Sequence, residues 1–86
     1  MEILFLNRFK KEFKNLSMEE KKAFEAKMRL MSENPYHPSL RIKKIQGKES
    51  IFECSITMAI RMTWEYINDN IYLRVIGEHD YTLKNP

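Results

Sequence analysis

Arg61 and His79 are the two side chains of this sequence best suited to chemistry on a phosphate ester. Arg61 sits in IRMTWEYI (60–67), where Ile60, Met62, Trp64 and Tyr66 alternate with Arg61, Thr63 and Glu65. A strand with that period sends the apolar set inward and Arg61 outward. Its guanidinium is planar, permanently charged and forked to match phosphate oxygens. His79 follows two residues after Gly77 in IYLRVIGEHDY (71–81). Imidazole, with an unperturbed pKa of ~6.5, gives or takes a proton near neutral pH. A phosphodiester held between the two would meet both charge stabilisation and an acid or base. RNA, which carries its own 2′-hydroxyl nucleophile, needs little more for cleavage. Tyr81 and Tyr72 can stack a base or simply cap the sheet edge. Arg41, Lys43, Lys44 and Lys48 form a basic cluster able to attract phosphate, although lysine-rich faces are also ordinary solvated surface. Structural readings stand beside the chemical ones. Arg61 can be a cross-strand partner of Glu78, an exposed pair worth little, and His79 can be a surface residue.

Other chemistries find no footing. His37 and His79 are far apart and no cysteine or carboxylate cluster falls at ligand intervals, so no metal site and no cofactor are expected. Gly47 and Gly77 are the only glycines, which excludes a Gly-rich phosphate loop. Cys54 has no nucleophile motif around it and falls on an inward-facing position, as a small buried hydrophobe would. As the single cysteine it allows no internal disulfide. No run approaches the ~20 apolar residues of a membrane span, and MEILFLNRFKKEF has no signal-peptide cleavage site, so the expectation is a cytoplasmic protein without membrane contact. The net charge is a modest +3, and 86 residues with 43% hydrophobic content suit one domain, 1–86, with one small core.

The elements that must carry these residues follow from periodicity. EILF (2–5) reads as a short strand. Leu6, Phe9, Phe13 and Leu16 recur at helical spacing, with basic residues on the outer face. Ser17 with Glu20 has the form of a capping box and starts a second helix, whose stripe is Phe24, Met28 and Met31, with Ala23 and Leu30. Asn34-Pro35 should end it. After Pro38 the period changes to two. LRIKKIQ (40–46) reads as a strand with a bulge at Lys43-Lys44, Gly47 as a turn, and IFECSIT (51–57) as a strand with Phe52, Cys54 and Ile56 on one face and Glu53, Ser55 and Thr57 on the other. The strands at 60–67 and 71–77 flank a turn at Asn68-Asp69-Asn70.

With Asp69-Asn70 as the loop, or a four-residue loop over 68–71, Tyr66 faces Leu73, Trp64 faces Val75 and Met62 faces Gly77 on the core side. Glu65 then meets Arg74 and Arg61 meets Glu78 on the other. A three-residue loop would mix the faces. The expected architecture is α+β: a helical hairpin on one face of a small antiparallel sheet whose other face is partly polar.

The helical hairpin, the run HPSLRIKKIQG leading into the sheet, the strand pair FECSITMAIRMTWEYINDN-IYLRVIG and the G-x-H-D ending together resemble the RelE/ParE superfamily of bacterial toxins over nearly the whole chain. The resemblance implies the toxin of a type II toxin-antitoxin system, bound by a cognate antitoxin in a hetero-oligomer and monomeric when free. RelE-like members cleave mRNA on the ribosome without a metal; ParE-like members poison DNA gyrase, and a catalytically inactive binding protein of the same fold is the third alternative. Carried over by position, Arg61 matches the arginine that holds the scissile phosphate. His79 matches a position held by arginine in some members and by a catalytic histidine in YafQ-like ones. Arg41 and Lys43, with Lys44 beside them, match a basic substrate-binding strand. Several RelE-like toxins place a tyrosine six residues after the His79 position. Here that residue is Asn85, and Tyr81 is the substitute.

Overall fold

Alternation and capping place most elements where the sequence puts them. The computed structural model describes residues 2–47 and 50–86. In chain order these form β1 (Ile3–Phe5), α1 (Asn7–Lys14), α2 (Met18–Glu33), a 3₁₀ turn (Pro38–Leu40), β2 (Lys43–Lys44), β3 (Ile51–Ser55), β4 (Ile60–Ile67), β5 (Asn70–Glu78) and α3 (His79–Lys84). The five strands make one sheet in the order β1-β5-β4-β3-β2. The expected capping box is formed at α2: Ser17 Oγ accepts from the Glu20 backbone N–H at 3.1 Å and Glu20 Oε1 from that of Ser17 at 2.8 Å. α1 and α2 send Phe9, Phe13, Phe24 and Met28 against Cys54, Ile56, Ile60, Met62, Trp64, Ile71, Leu73 and Ile76 of the sheet. The fold is therefore α+β, as expected.

Four details depart from the sequence reading. The expected strand at 40–46 shrinks to Lys43–Lys44, because Pro38 opens a 3₁₀ turn and Arg41 closes it in a left-handed conformation at φ 50°. The basic cluster read there includes Lys48, which lies outside the described residues. β1 adds to the sheet in parallel, with Ile3 opposite Ile71 and Phe5 opposite Leu73, so the sheet is mixed rather than purely antiparallel.

The β4–β5 register is the third correction. The turn is Asn68-Asp69, both at positive φ (50° and 69°), residue types that tolerate the left-handed region required by a tight two-residue hairpin. Tyr66 therefore faces Ile71 and Trp64 faces Leu73, two residues from the expected partners. Between Thr63 and Trp64 the register shifts, leaving Arg74 as an extra residue on β5. Beyond this bulge the faces exchange. Ile76 pairs with Met62 on the core side, while Val75 pairs with Thr63 and Gly77 with Arg61 on the other. Arg61 thus stands opposite Gly77, not Glu78. The Glu65–Arg74 ion pair does form, at 2.6 Å, although the residue directly opposite Glu65 is Tyr72.

The fourth departure is α3, where the sequence suggested only a polar ending past the last strand. Glu78 caps it, its carboxylate accepting from the Tyr81 N–H at 3.2 Å. The helix folds over the Gly77 side of the sheet, where a side-chain carbon on Gly77 would lie 3.4 Å from Tyr81 Cδ2 and 3.5 Å from Thr82 Oγ1. Thr63, Val75 and Thr82 are buried there, so part of the expected polar face is covered.

Candidate functional site

Arg61 does not reach for a carboxylate. One terminal nitrogen, Nη1, donates to Ser55 Oγ at 3.1 Å and to the carbonyls of Thr57 (2.7 Å), Met58 (3.2 Å) and Ile60 (3.3 Å). The guanidinium therefore clasps the turn between β3 and β4, which Thr57 also stiffens from within by accepting from the N–H groups of Ala59 and Ile60. This replaces the Arg61–Glu78 pair as the structural role of Arg61. Among the described residues no hydrogen bond is formed by Arg61 Nε or Nη2.

A pocket of about 280 Å³ opens beside this clasp, lined by Lys27, Ser39, Arg41, Ser55, Thr57 and Arg61 among others. Arg41 comes from the left-handed end of the 3₁₀ turn, Lys27 from α2, and Arg61 from β4. Lys27 Nζ is anchored on the Ser39 carbonyl at 3.3 Å. Among the described residues none of these three cations lies within 4.0 Å of a carboxylate, whereas Arg8 and Arg74 are both ion-paired. Three positive charges with no carboxylate partner among the described residues, set around hydroxyl groups, could attract an anion. Nearby Cys54 is fully buried, and burial pushes its thiol up to about 12 against the opposing pull of Lys27 and Arg61.

His79 is tied to the same turn from the opposite side, its backbone N–H donating to the Ala59 carbonyl at 2.8 Å. Its Nδ1 lies 3.0 Å from Asp80 Oδ1. A carboxylate can only accept, so Nδ1 carries the proton and a neutral ring keeps its lone pair on Nε2. The structure thus gathers Arg61 and His79 around one turn, but neither His79 nor Tyr81 lines the Arg61 pocket.

Tyr81 is engaged elsewhere. β1 ends opposite Leu73, which leaves the outer edge of β5 open beyond it. There Glu12 of α1 accepts from the Ile76 N–H at 3.3 Å, and the Tyr81 hydroxyl donates to the other Glu12 oxygen at 2.8 Å. Arg8 completes the group, reaching Glu12 at 3.2 Å and the Tyr81 oxygen at 3.3 Å. Burial alone would lower the Arg8 pKa, but the hydrogen bonds to Tyr81 and Glu12 outweigh it and hold the value raised. Lys43 and Lys44 lie exposed on β2, the far edge strand, outside the Arg61 pocket. Among the described residues no group of three or more His, Cys, Asp or Glu side chains could hold a metal ion. No helix among them is long and apolar enough to cross a membrane.

Sequence reasoning missed Lys27, Ser39, Ser55 and Thr57. The last two were legible as outward-facing neighbours of Cys54. Lys27 stands one helical turn after Ala23 and one before Met31, at the margin of the apolar stripe, which is the only signal it gives.

No family model matches this chain, and no curated protein matches it. Solved structures do. YafQ from E. coli strain BL21(DE3) superposes with a TM-score of 0.77 at 12% identity, covering 93% of this chain and 94% of that one. The RelB-RelE antitoxin-toxin complex from Methanococcus jannaschii gives a TM-score of 0.75 at 19% identity, over 96% and 98% of the two chains. The fold is that of the RelE/ParE toxins. The E. coli DinJ-YafQ complex matches as well, with a TM-score of 0.69 at 14% identity over 92% of this chain and 93% of that one. At these identities the RelE/ParE likeness is one of backbone architecture.

Proposed function

We propose that this chain is the toxin of a type II toxin-antitoxin system and a metal-independent endoribonuclease that arrests translation by cutting mRNA on the ribosome. The observation that carries this reading is the Arg61 pocket: Lys27, Arg41 and Arg61, none paired with a carboxylate among the described residues, around the hydroxyls of Ser39, Ser55 and Thr57. A phosphodiester seated there has its negative charge matched. In cleavage, the 2′-hydroxyl attacks phosphorus and the 5′-oxygen leaves, so charge grows on the non-bridging oxygens. A fixed guanidinium answers that charge, a contribution typically worth 10²- to 10³-fold in rate. His79, with its proton on Nδ1 and its lone pair on Nε2, takes the proton of the 2′-hydroxyl or, once protonated, supplies one to the leaving oxygen. Tyr81 acts at one remove, by holding α3 against α1.

The cognate antitoxin is the second partner. RelE of Methanococcus jannaschii was solved with the antitoxin RelB, and the shared fold supports a comparable partner here, with which the chain would form a hetero-oligomer.

A second reading has its own observation. His79 leans on its neighbour Asp80 and does not line the Arg61 pocket, as would suit a fold that binds its target without RNA chemistry, a gyrase poison included. Inducing the wild type and His79→Ala and mapping cellular mRNA ends separates the two. Cleaved messages with the wild type and intact ones with His79→Ala are expected. Growth arrest with intact messages, accompanied by the DNA-damage response, would favour the second reading.

A further inference from the structure

Arg41 lines two cavities. One is the Arg61 pocket; the other, of about 640 Å³, is walled by Tyr36, His37, Phe52 and Tyr66. We propose that this second cavity is a stacking site for unpaired RNA bases, joined through Arg41 to the phosphate pocket so that one strand runs across both. The choice of RNA rests on the ribonuclease reading; the aromatic and charged surface does not.

Phe52 forms a fixed back wall, stacked on the buried Trp64 (6.0 Å, 19° between planes) and edge-on to Tyr66 (5.4 Å, 77°). Tyr36 stands in front, 91% exposed, on a link bracketed by Pro35 and Pro38. The prolines fix φ, and the Tyr36 N–H is held by Asn34 Oδ1 at 3.2 Å, so the backbone is set while the ring stays free. The His37 ring is oriented by the Ser39 N–H, which donates to Nδ1 at 3.1 Å and leaves the proton on Nε2. A lone exposed aromatic is ordinary surface. Three further aromatic rings and an arginine without a carboxylate partner among the described residues, in one cavity, are not. Aromatic faces beside cations are what single-stranded nucleic acid requires, because every unstacked base offers a π-face and every nucleotide a phosphate.

Charge selects among occupants. Among the described residues no carboxylate lines either cavity, whereas Glu12, Glu20 and Glu78 all line the cavity beside Tyr81. The tract from Tyr36 to Arg61 therefore fits a polyanion with flat groups.

The test is fluorescence anisotropy with a labelled hexanucleotide RNA carrying 2′-O-methyl sugars, which block cleavage, on the full chain. Tyr36→Ala should weaken binding about five- to a hundredfold, the range for loss of one base–aromatic stack. Tyr36→Trp should restore it, and Arg41→Ala should also flatten the salt dependence. Affinity for inorganic phosphate should be the same in Tyr36→Ala and wild type. Wild-type affinity for RNA in Tyr36→Ala, alongside a loss in Arg61→Ala, overturns the stacking site and leaves the ribonuclease reading standing. Tyr36-dependent RNA binding with intact messages in cells does the reverse. Equal competition by duplex DNA of the same length, whose bases are already stacked, or no RNA binding by the wild type, overturns the stacking site.

Discussion

The Tyr81 hydroxyl donates to Glu12 Oε2 at 2.8 Å and, with Arg8 donating to the same hydroxyl, ties the last helix to the first across the open edge of β5. Tyr81→Phe should therefore cost about 1 kcal/mol of stability, the usual worth of a hydrogen bond to a partly exposed acceptor. Cleavage per folded molecule should change by less than about threefold, since a positioning role moves the barrier by well under 1.4 kcal/mol. Thermal melting and a cleavage assay on the same preparation check this. An unchanged melting temperature with a hundredfold loss of cleavage would return Tyr81 to the reacting groups.

Arg61→Ala should lower cleavage by about 10²-fold or more, equivalent to ~2.7 kcal/mol of barrier. It should also soften the β3–β4 turn, since the Thr57 and Met58 carbonyls lose a donor. Arg61→Lys separates the effects, because a lysine keeps the charge and a single donor nitrogen but not the planar fork. Melting temperature near that of the wild type with cleavage still depressed is the expected result. A fully active Arg61→Ala protein would remove Arg61 from the site.

Glu78 is a helix cap rather than the partner of Arg61, and substitutions should report that. Glu78→Gln keeps an oxygen to accept from the Tyr81 N–H and should be nearly silent, while Glu78→Ala should cost about 1 kcal/mol. Urea unfolding of the two variants side by side decides it. Equal losses would mean that the charge, not the cap, was the contribution.

Cys54 should be inert and should carry a pH signature. Burial raises its pKa from an ordinary 9.0 to about 12 in the folded chain. Below pH ~9 the thiol is protonated in both states. Above it the unfolded chain loses the proton and the folded chain keeps it, so this contribution to stability falls as pH rises through the window from about 9 to 12. Wild type should lose more melting temperature between pH 8 and pH 10 than Cys54→Ala does. Alkylation by iodoacetamide at pH 8 should require unfolding.

Local patterns in the sequence determined much of this molecule. The Ser17–Glu20 capping box, the Phe9–Phe13–Leu16 stripe and the inward set Ile60, Met62 and Trp64 are all set within a few residues, by backbone donors at a helix start or by alternation along one strand. Arg61 was recognisable as an outward arginine for the same reason. What pairs with what was not legible. Several registers satisfy the same alternation, and only cross-strand packing chose Trp64–Leu73 and inserted the Arg74 bulge that turned Val75 and Gly77 away from the cluster packed by α1 and α2. The brevity of β2 depended on Arg41 accepting a left-handed backbone, and α3 on a cap that Glu78 gives only once β5 ends beside the β3–β4 turn. Lys27, Arg41 and Arg61 belong to three elements with three different periods. Their convergence on one pocket is a long-range fact, decided by how α2 lies on the sheet and invisible to any short window of sequence.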